Sequence, residues 1–553
     1  MQLESNFLAF ILVLSPLGFM VTAIFSWFYP GIRPKQVLNI SSLSGIWAIG
    51  ISMISLIILV QNGPMESPLL GYKDLGFSVR LDFLSGLIFM MISFLGMIIL
   101  RFSQNYLDGD LRQGVFLGRL SATLATVQLL VISGNLALLA ITWILTSVFL
   151  HRLLVFYSDR PLAKIAARKK FWVARIADFF LLTSFLILYT KTGTGNLGEI
   201  FDWVVKSGLS ESDAVHLGLV FLALAAIFKS AQFPTHGWLI EVMETPTPVS
   251  ALLHAGLLNS GPFLIIRFSN LFEASTLAPL ILMGVGGITA ILATLAYLTQ
   301  TSVKTALGYS SMGHMGFSLM LGGLGLYAAS LLHLISHSFY KAHAFLSSGS
   351  AVESIQKGNL RKLSFQVKPL DLGLGLLLSL GIFGLMAWIW NLDFYQDWGL
   401  LFVGSILILG LFQLFSTALA NKNRLSLLAI ASMYSLVLVG LFFLLENSIH
   451  GLITNQIPEV VEFKTGRIIL AIFLGLISLA VVLFQVLNLH QPSSSGFRLA
   501  WAIHFRNGLY ANAVFDRMVG GLRVPKTAYL LKQIQKTENS ESLPIQETEE
   551  SLA

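Results

Sequence analysis

Long apolar stretches of about twenty residues alternate with short polar segments along most of the chain. A helix needs about 20 apolar residues to cross the hydrocarbon core of a bilayer, whereas barrel strands show shorter, alternating segments. The pattern therefore predicts an all-α, polytopic integral membrane protein with about fifteen transmembrane helices. The predicted spans cover residues 7–28, 40–61, 81–101, 114–133, 135–157, 171–190, 217–240, 249–272, 277–299, 303–324, 326–350, 371–392, 400–420, 424–446 and 466–489.

Composition supports lipid as the solvent for most of the surface. Hydrophobic residues make up 55% of the 553 positions, charged residues make up 11%, and the mean hydropathy is +0.76. Soluble domains usually have about 25% charged residues, so this chain has too few to cover a soluble protein of its length. The chain has no cysteine, which excludes thiolate metal sites, iron–sulfur clusters and disulfides contributed by the chain itself.

Basic residues are concentrated on one side of the predicted membrane. Cytoplasmic loops are rich in Lys and Arg, so the distribution predicts an inner-membrane protein with the N-terminus outside and the C-terminus in the cytoplasm. We divide the chain into N-terminal helices (1–113), a core (114–350), C-terminal helices (351–489) and a cytoplasmic tail (490–553) with a disordered end. The predicted inner loops carry Arg33, Lys35, Arg101, Arg112, Arg152, Arg160, Lys164, Arg168, Lys169, Lys170, Lys357, Arg361, Lys362, Lys368, Lys422 and Arg424.

Lys229 is the clearest candidate for ion translocation. It ends the apolar run LGLVFLALAAIF and precedes Pro234 by five residues. Proline interrupts the helical hydrogen-bond ladder, so the span is predicted to be broken next to a charged side chain. Broken helices of this kind bind ions in transporters, whereas the structural alternative is a lysine that snorkels to the membrane surface.

A second group of ionisable residues lies in the run HLISHSFYKAHAF. His333, His337 and Lys341 are four residues apart, so they stack on one helical face with about 40° of drift per step. Imidazole both donates and accepts hydrogen bonds, and such a ladder can relay protons. The structural alternative is three independently satisfied side chains, but ionisable groups are costly inside a span.

Four other residues have weaker patterns. His254 follows Pro246 and Pro248 by about two turns and is as consistent with a structural role as with a functional one. Lys304 lies at the inner end of its predicted span, ten residues before His314. Arg175 and Asp178 are spaced i, i+3, which allows an ion pair that is either structural or part of a gate.

The chain has no Walker A, HExxH or paired-carboxylate motif, so we expect no catalytic centre and no cofactor in it.

Three segments together resemble one protein family. They are FKSAQFPTHGWLIEVMETPTPVSALLHAG, VKTALGYSSMGHMGF and LLHLISHSFYKAHAFLSSGS, and they occur in the order and spacing of the antiporter-like subunits of respiratory complex I and Mrp antiporters. The resemblance covers roughly residues 80–350 and implies two inverted five-helix repeats with broken helices. It implies translocation through Lys229, His254, His333, His337 and Lys341, with the pair Arg175 and Asp178 modulating it.

Departures from the family pattern point to a particular subfamily. The family's glutamate on the fifth span is replaced by Ile144. The span carries His151 and Arg152 two turns later, and we take both, with Arg175 and Asp178, as candidates for an ion pair or gate. Ser302 replaces the family's acidic residue before Lys304, which we include among the ion-translocation candidates. These features, with the tail NGLYANAVFDRMV, resemble the membrane subunits (DabB) of DAB inorganic-carbon accumulation complexes. That resemblance implies a large, cytoplasmic, zinc-containing, carbonic-anhydrase-like partner (DabA), whose CO2 hydration is energised by H+ or Na+ flow through this chain.

Two alternatives stay open at this point. The chain is consistent with a cation/proton antiporter or with a proton-pumping subunit of a respiratory NADH dehydrogenase. It is also consistent with a membrane scaffold that conducts no ions. The composition gives no reason to expect nucleic acid as a partner, because the net charge of +7 comes from basic loops beside the membrane.

Overall fold

Helices account for nearly all of the structure, as the apolar pattern predicts. The computed structural model describes residues 7–157, 160–207, 213–242, 245–349, 368–393, 397–421, 423–458, 464–488 and 496–519. The basic residues Lys357, Arg361 and Lys362, the residue Lys422 and the predicted disordered end of the tail lie outside these ranges. The described part of the chain is all-α apart from two small β-ribbons, which confirms the predicted fold class.

The N-terminal part consists of three long helices and two ribbons. A short 3₁₀ helix, Ala9–Val13, leads into α1 (Leu14–Phe28), which is followed by α2 (Lys35–Asn62) and α3 (Phe83–Tyr106). Four short strands connect α2 to α3: β1 (Met65–Glu66), β2 (Leu70–Tyr72), β3 (Leu75–Phe77) and β4 (Arg80–Leu81). Both ribbons are antiparallel, with β1 paired to β4 and β2 paired to β3.

The core contains helices of very different length. Two of its predicted spans are interrupted, the first after α8 and the second after α10, where a 3₁₀ turn (Leu257–Asn259) joins two short helices. The core helices are α4 (Gln113–Val131), α5 (Leu136–Leu154), α6 (Pro161–Thr192), α7 (Leu197–Ser207), α8 (Asp213–Lys229), α9 (Gly237–Glu241), α10 (Thr247–Ala255), α11 (Ser260–Arg267), α12 (Ser269–Ala274), α13 (Leu277–Tyr297), α14 (Val303–Gly323) and α15 (Tyr327–Leu346).

The remaining helices are mostly long and continuous. They are α16 (Pro369–Ile389), α17 (Trp398–Leu419), α18 (Arg424–Ile453, followed by a 3₁₀ turn, Thr454–Gln456), α19 (Thr465–Asn488), α20 (Gly496–Arg506) and α21 (Ala511–Val519), the last two joined by the 3₁₀ turn Gly508–Tyr510. Only 11% of the apolar window of α19 is buried within the protein, whereas 94% of the α10–α11 segment is buried. The polar sites described below therefore surround a central α10–α11 segment, and α19 lies at the periphery, against lipid.

The predicted spans correspond closely to the observed helices. Within the described residues, twelve helical segments are long and apolar enough to cross a membrane. The other three predicted spans, 217–240, 303–324 and 326–350, contain α8, α14 and α15. These three helices carry Lys229, Lys304 and the His333–Lys341 ladder, and α8 is only 17 residues long because it ends at Lys229. The total of fifteen remains a prediction.

Helices α13 and α14 approach each other unusually closely. A Cβ atom added to Gly286 would lie 2.5 Å from the carbonyl oxygen of Gly316, and the reverse substitution meets the carbonyl of Gly286 at the same distance. Small residues permit such close contact between membrane helices. The contact fixes the position of α14, which carries His314 toward α15.

Candidate functional site

The first polar site forms around the end of α8. Lys229 is the last residue of α8, and the chain resumes a helical course only at Gly237, so the predicted break lies beside the lysine. Its Nζ atom donates hydrogen bonds to the carbonyl oxygen of Trp143 and to the hydroxyl oxygen of Ser147, both at 3.0 Å. The same atom lies 4.2 Å from the centroid of the Trp143 ring, which is within cation–π range.

This geometry shows what replaces the missing glutamate of the fifth span. Ile144 offers no charge, and the neighbouring Trp143 and Ser147 supply a carbonyl, an aromatic face and a hydroxyl group instead. These groups stabilise an ammonium ion without neutralising its charge. The countercharge must come from another helix.

Helix α6 brings that countercharge and a second lysine to the site. Lys170 is buried, and its Nζ atom donates a 2.5 Å hydrogen bond to the carbonyl oxygen of Ser147. Asp178 acts electrostatically on both Lys170 and Lys229, and its carboxylate lies 2.6 Å from the guanidinium of Arg175. The predicted contact between Arg175 and Asp178 is therefore present, and the same carboxylate lies within electrostatic range of both lysines.

A small cavity connects the two lysines. Lys170 and Lys229 line it together with Ser147, and its volume is about 20 Å³. A buried water needs about 10–15 Å³, so the cavity has room for about one water molecule. The cavity wall on the other side is α10, through Leu253.

The expectation that Lys169 and Lys170 lie in a cytoplasmic loop is wrong. Helix α6 begins at Pro161, ten residues before the predicted start of the span at residue 171, so both lysines lie inside the helix and are buried. Proline is favoured in the first turn of a helix, and glycine is favoured just after its end. Because no glycine stands between Pro161 and the apolar run, the helix continues from one to the other. Pro161 was the signal in the sequence that a longer helix begins there.

The two other residues predicted to take part in gating lie farther out. The His151 ring contacts the Phe171 ring at a centroid distance of 6.1 Å and faces α6. Arg152 is exposed, and its carbonyl oxygen accepts a hydrogen bond from Arg119 at 2.8 Å. His151 thus borders the lysine site, whereas the Arg152 side chain is outside it.

The second polar site forms between α10, α14 and α15. Lys341 is buried and donates a 3.3 Å hydrogen bond to the carbonyl oxygen of Leu307. His337 is close enough to Lys341 and to His254 for electrostatic interaction, and the fully buried His254 ring stacks on Phe345 at 4.3 Å. The structure therefore brings His254 to the ladder residues.

His314 completes this second site, although no role was predicted for it. Its Nδ1 atom lies 3.2 Å from Nε2 of His333, and its ring centroid lies 4.9 Å from that of His337. His314 and Lys304 lie on the same helix, but ten residues span about 15 Å along it. Lys304 instead donates to the hydroxyl of Thr247 at 3.2 Å, at the first residue of α10.

The two sites are separated by apolar residues of the central segment. Leu253, Leu257 and Leu258 line the cavity beside Lys229, whereas His254 points to the ladder. Lysine and imidazole groups can exchange protons, and hydroxyl and carbonyl groups can orient them. The arrangement can hold and transfer protons within each site, and the apolar residues of α10 separate the two.

The described C-terminal segment packs against the broken span at α9. Lys169 donates to Glu241 at 2.6 Å and to the side-chain oxygen of Asn512 at 2.9 Å, and it also pairs with Asp516. A Cβ on Gly237 would lie 1.7 Å from Asn512 Oδ1, so the first residue of α9 must be glycine for α21 to pack there. Helices α6, α9 and α21 are thus joined by one polar network.

A third charged cluster lies at the start of α3. Asp82 caps α3 by accepting a 2.8 Å hydrogen bond from the backbone N–H of Ser85, and it also pairs with Arg267 and with Arg80. Burial by itself disfavours the Asp82 carboxylate, but the charges of Arg267 and Arg80 hold the pKa of Asp82 below its usual value. Burial raises the pKa of the nearby Glu66 to about 7, against the opposing charge of Arg80.

Comparison with known proteins agrees with this architecture. The sequence profile described as NADH:quinone oxidoreductase/Mrp antiporter, TM, matches residues 133–405. The chain is 36% identical over 442 residues to a probable inorganic carbon transporter subunit DabB of Hydrogenovibrio crunogenus, covering 78% of this chain and 80% of that protein. It is 36% identical over 458 residues to the probable inorganic carbon transporter subunit DabB2 of Halothiobacillus neapolitanus, covering 81% of each chain.

A solved structure shares the fold at lower sequence identity. The Mrp complex from Dietzia sp. contains a chain that superposes with a TM-score of 0.60 at 21% identity, covering 98% of this chain. The present chain spans 64% of that Mrp chain's length. The likeness shows the fold of the helices around the two polar sites.

Proposed function

The chain belongs to the family of DabB-type inorganic carbon transporter subunits, and we propose that it is the proton-translocating membrane subunit of such a complex. The observation that carries the proposal is the site around Lys229. There, two buried lysines line a cavity large enough for about one water and lie within electrostatic range of one carboxylate, Asp178. Charged residues inside membrane spans are costly, and they are found mainly where ions or protons pass.

The two polar sites suggest a path with two halves. In the first half, Lys229 exchanges its proton with groups around Lys170 and Asp178. In the second half, Lys341, His337, His314 and His333 form a set of neighbouring ionisable groups, of which His314 and His333 are within hydrogen-bond distance. Transfer between the halves requires a rearrangement of α10, because Leu253 and its neighbours lie between them.

We propose that the chemistry of inorganic carbon takes place in a partner. A cytoplasmic, zinc-containing, carbonic-anhydrase-like subunit would hydrate CO2, and ion flow through this chain would energise that reaction in one direction. The relatives' names support a complex that transports inorganic carbon. The basic loops support an inner-membrane location with the N-terminus outside, which places the network around Lys169 on the side of the partner.

The first test compares the isolated chain with the complex in sealed vesicles. We expect the complex purified through this chain to contain a zinc-binding partner and to make bicarbonate in a manner that stops when the proton gradient is dissipated. We expect the isolated chain to catalyse little cation/proton exchange, because its path is gated through the partner. A pH-sensitive dye inside the vesicles measures the exchange.

Two results would favour the alternatives. Robust cation/proton exchange by the isolated chain would replace the proposal by the antiporter interpretation, which the matching family profile also allows. Bicarbonate production that is unaffected when Lys229 and Lys341 are both replaced would make the chain a scaffold that conducts no ions.

A second prediction concerns the ladder on α15. If His337 and Lys341 act as one relay, His337→Gln and Lys341→Met should each reduce coupled activity about 100-fold or more, and the double variant should lose little beyond that. Proton-transfer groups contribute about 10²–10⁴-fold, and groups that act as a unit are not additive. Initial rates of bicarbonate formation by the complex, normalised to the amount of protein, measure the effect.

The control is a histidine on the same helix outside the ladder. His343 is exposed and lies two residues after Lys341, so His343→Gln should retain activity. Losses that simply multiply in the double variant would show that His337 and Lys341 act independently and would contradict the relay.

A further inference from the structure

Three histidines from two helices meet at one point of the second polar site. His314 on α14 faces His333 and His337, which are one turn apart on α15. Each offers a ring nitrogen, and these nitrogens all lie within 4.8 Å of one another. We name these three residues the histidine cluster. No other group of three or more potential metal-ligating side chains is this close within the described ranges.

The distances within the cluster match those of a metal site. Zinc binds histidine nitrogens at about 2.0–2.1 Å, so two nitrogens at the corners of a tetrahedron around zinc are about 3.3 Å apart. Nδ1 of His314 and Nε2 of His333 are 3.2 Å apart. Only a small movement of His337 is needed for its nitrogen to join them, because its ring lies 4.9 Å from that of His314 and 6.0 Å from that of His333.

His337 gives an independent reason to look for a ligand. Only 4% of His337 is exposed, yet neither of its ring nitrogens has a hydrogen-bond partner among the described residues. Buried polar atoms are nearly always satisfied, because an unpaired one costs about 1–3 kcal/mol. A bound metal ion would accept the lone pair of one of these nitrogens.

The cluster is also accessible. His314 and His333 line a cavity of about 530 Å³ that extends between α13, α14, α17 and α19. Polar side chains in its wall include Tyr309, Gln413 and Gln485. The cavity provides space for a water molecule as the fourth ligand, as in zinc sites with three protein ligands.

We propose that the histidine cluster binds one divalent transition-metal cation, with Zn²⁺ the best match, and that the bound cation blocks translocation. The binding site is argued from geometry alone, whereas the block rests on the proposed function. A coordinated imidazole nitrogen can no longer exchange a proton. Lys341 acts electrostatically on His314 and His337, so a dication at the cluster also opposes a positive charge on that lysine.

Binding is tested on the full-length chain alone in lipid nanodiscs, which avoids zinc held by any partner. Zn²⁺ alone is titrated by calorimetry, and metal content is measured after desalting. Co²⁺ is titrated separately, because a four-coordinate cobalt site absorbs visible light far more strongly than a six-coordinate one. We expect one saturable Zn²⁺ site for each chain and the strong absorption of a four-coordinate Co²⁺ site.

Single substitutions assign the ligands. Each ligand is replaced in turn, in the variants His314→Gln, His333→Gln and His337→Gln. Loss of a residue that only supports a metal ligand weakens binding about 10–100-fold, so loss of a ligand itself should weaken Zn²⁺ binding by at least that factor. His343→Gln on the same helix and His254→Gln beside the cluster should bind Zn²⁺ as the unchanged chain does. Retained size-exclusion profiles show that a variant is folded. Absence of a saturable site, weak six-coordinate Co²⁺ absorption, or equal binding by all variants would each overturn the proposal.

A transport arm separates this inference from the proposed function. Zn²⁺ is expected to inhibit bicarbonate formation by vesicles containing the unchanged complex, over the same concentration range in which it binds the isolated chain. If the chain binds Zn²⁺ but the complex translocates no ions, the proposed function fails and the metal site stands. If the complex is active and the chain binds no Zn²⁺, the metal site fails and the proposed function stands.

Discussion

Replacement of Lys229 by alanine is expected to abolish ion-coupled activity while leaving the protein in the membrane. The substitution removes the amino group that joins Trp143, Ser147 and the charge of Asp178. A loss of about 10²–10⁴-fold is expected from removal of a group that transfers protons. Bicarbonate formation by the reconstituted complex measures activity, and the amount of folded chain in the membrane fraction provides the normalisation.

Two further variants test whether Lys229 acts by exchanging a proton or only by its positive charge. Lys229→Arg keeps a positive charge that does not give up its proton, so it should be nearly as inactive as Lys229→Ala. Lys191→Ala changes an exposed lysine at the end of α6 and should leave activity unchanged. Full activity of a stably inserted Lys229→Ala variant would exclude the lysine from the path.

Asp178→Asn is expected to impair both stability and activity. Asp178 is 5% exposed, pairs with Arg175 and lies within electrostatic range of Lys170 and Lys229. Its loss leaves three cations close together, so the cost should exceed the upper limit of about 1 kcal/mol for a surface ion pair. It should stay below the roughly 3–5 kcal/mol of a fully buried pair, because Arg175 is partly exposed. Thermal unfolding in detergent and rates of the reconstituted complex measure the two effects.

The chain offers a matched control for this substitution. Arg33 and Asp108 form an ion pair at 2.7 Å in which both side chains are more than half exposed. Asp108→Asn should therefore change the unfolding temperature and activity little. If the Asp178→Asn variant is as stable and active as Asp108→Asn, the Arg175–Asp178 pair contributes no more than an exposed surface ion pair.

Much of the fold could be predicted from local patterns. The length of an apolar run is set by bilayer thickness, and twelve of the predicted spans match helices that are long and apolar enough to cross it. The break after Lys229 could be predicted because Pro234 cannot continue a helical ladder. The contact between Arg175 and Asp178 could be predicted because residues three apart are neighbours on a helix.

What the sequence did not reveal depends on contacts between distant segments. Lys170 follows four other basic residues within eleven positions, and its burial depends on the carbonyl of Ser147 on another helix. His314 is a lone histidine on α14, and its meeting with His333 depends on the close contact of α13 with α14 at Gly286 and on how α15 packs against α14. Local periodicity contains no information on either partner.

The Lys169 network has a consequence for how the protein is made. Asn512, one of the groups that satisfy this buried lysine, follows it by 343 residues, and Asp516 comes later still. Lys169 enters the membrane region long before the ribosome reaches these partners. This part of the core therefore remains incomplete until α21 has been made, and a chain interrupted before residue 512 retains a buried lysine that lacks part of its polar network.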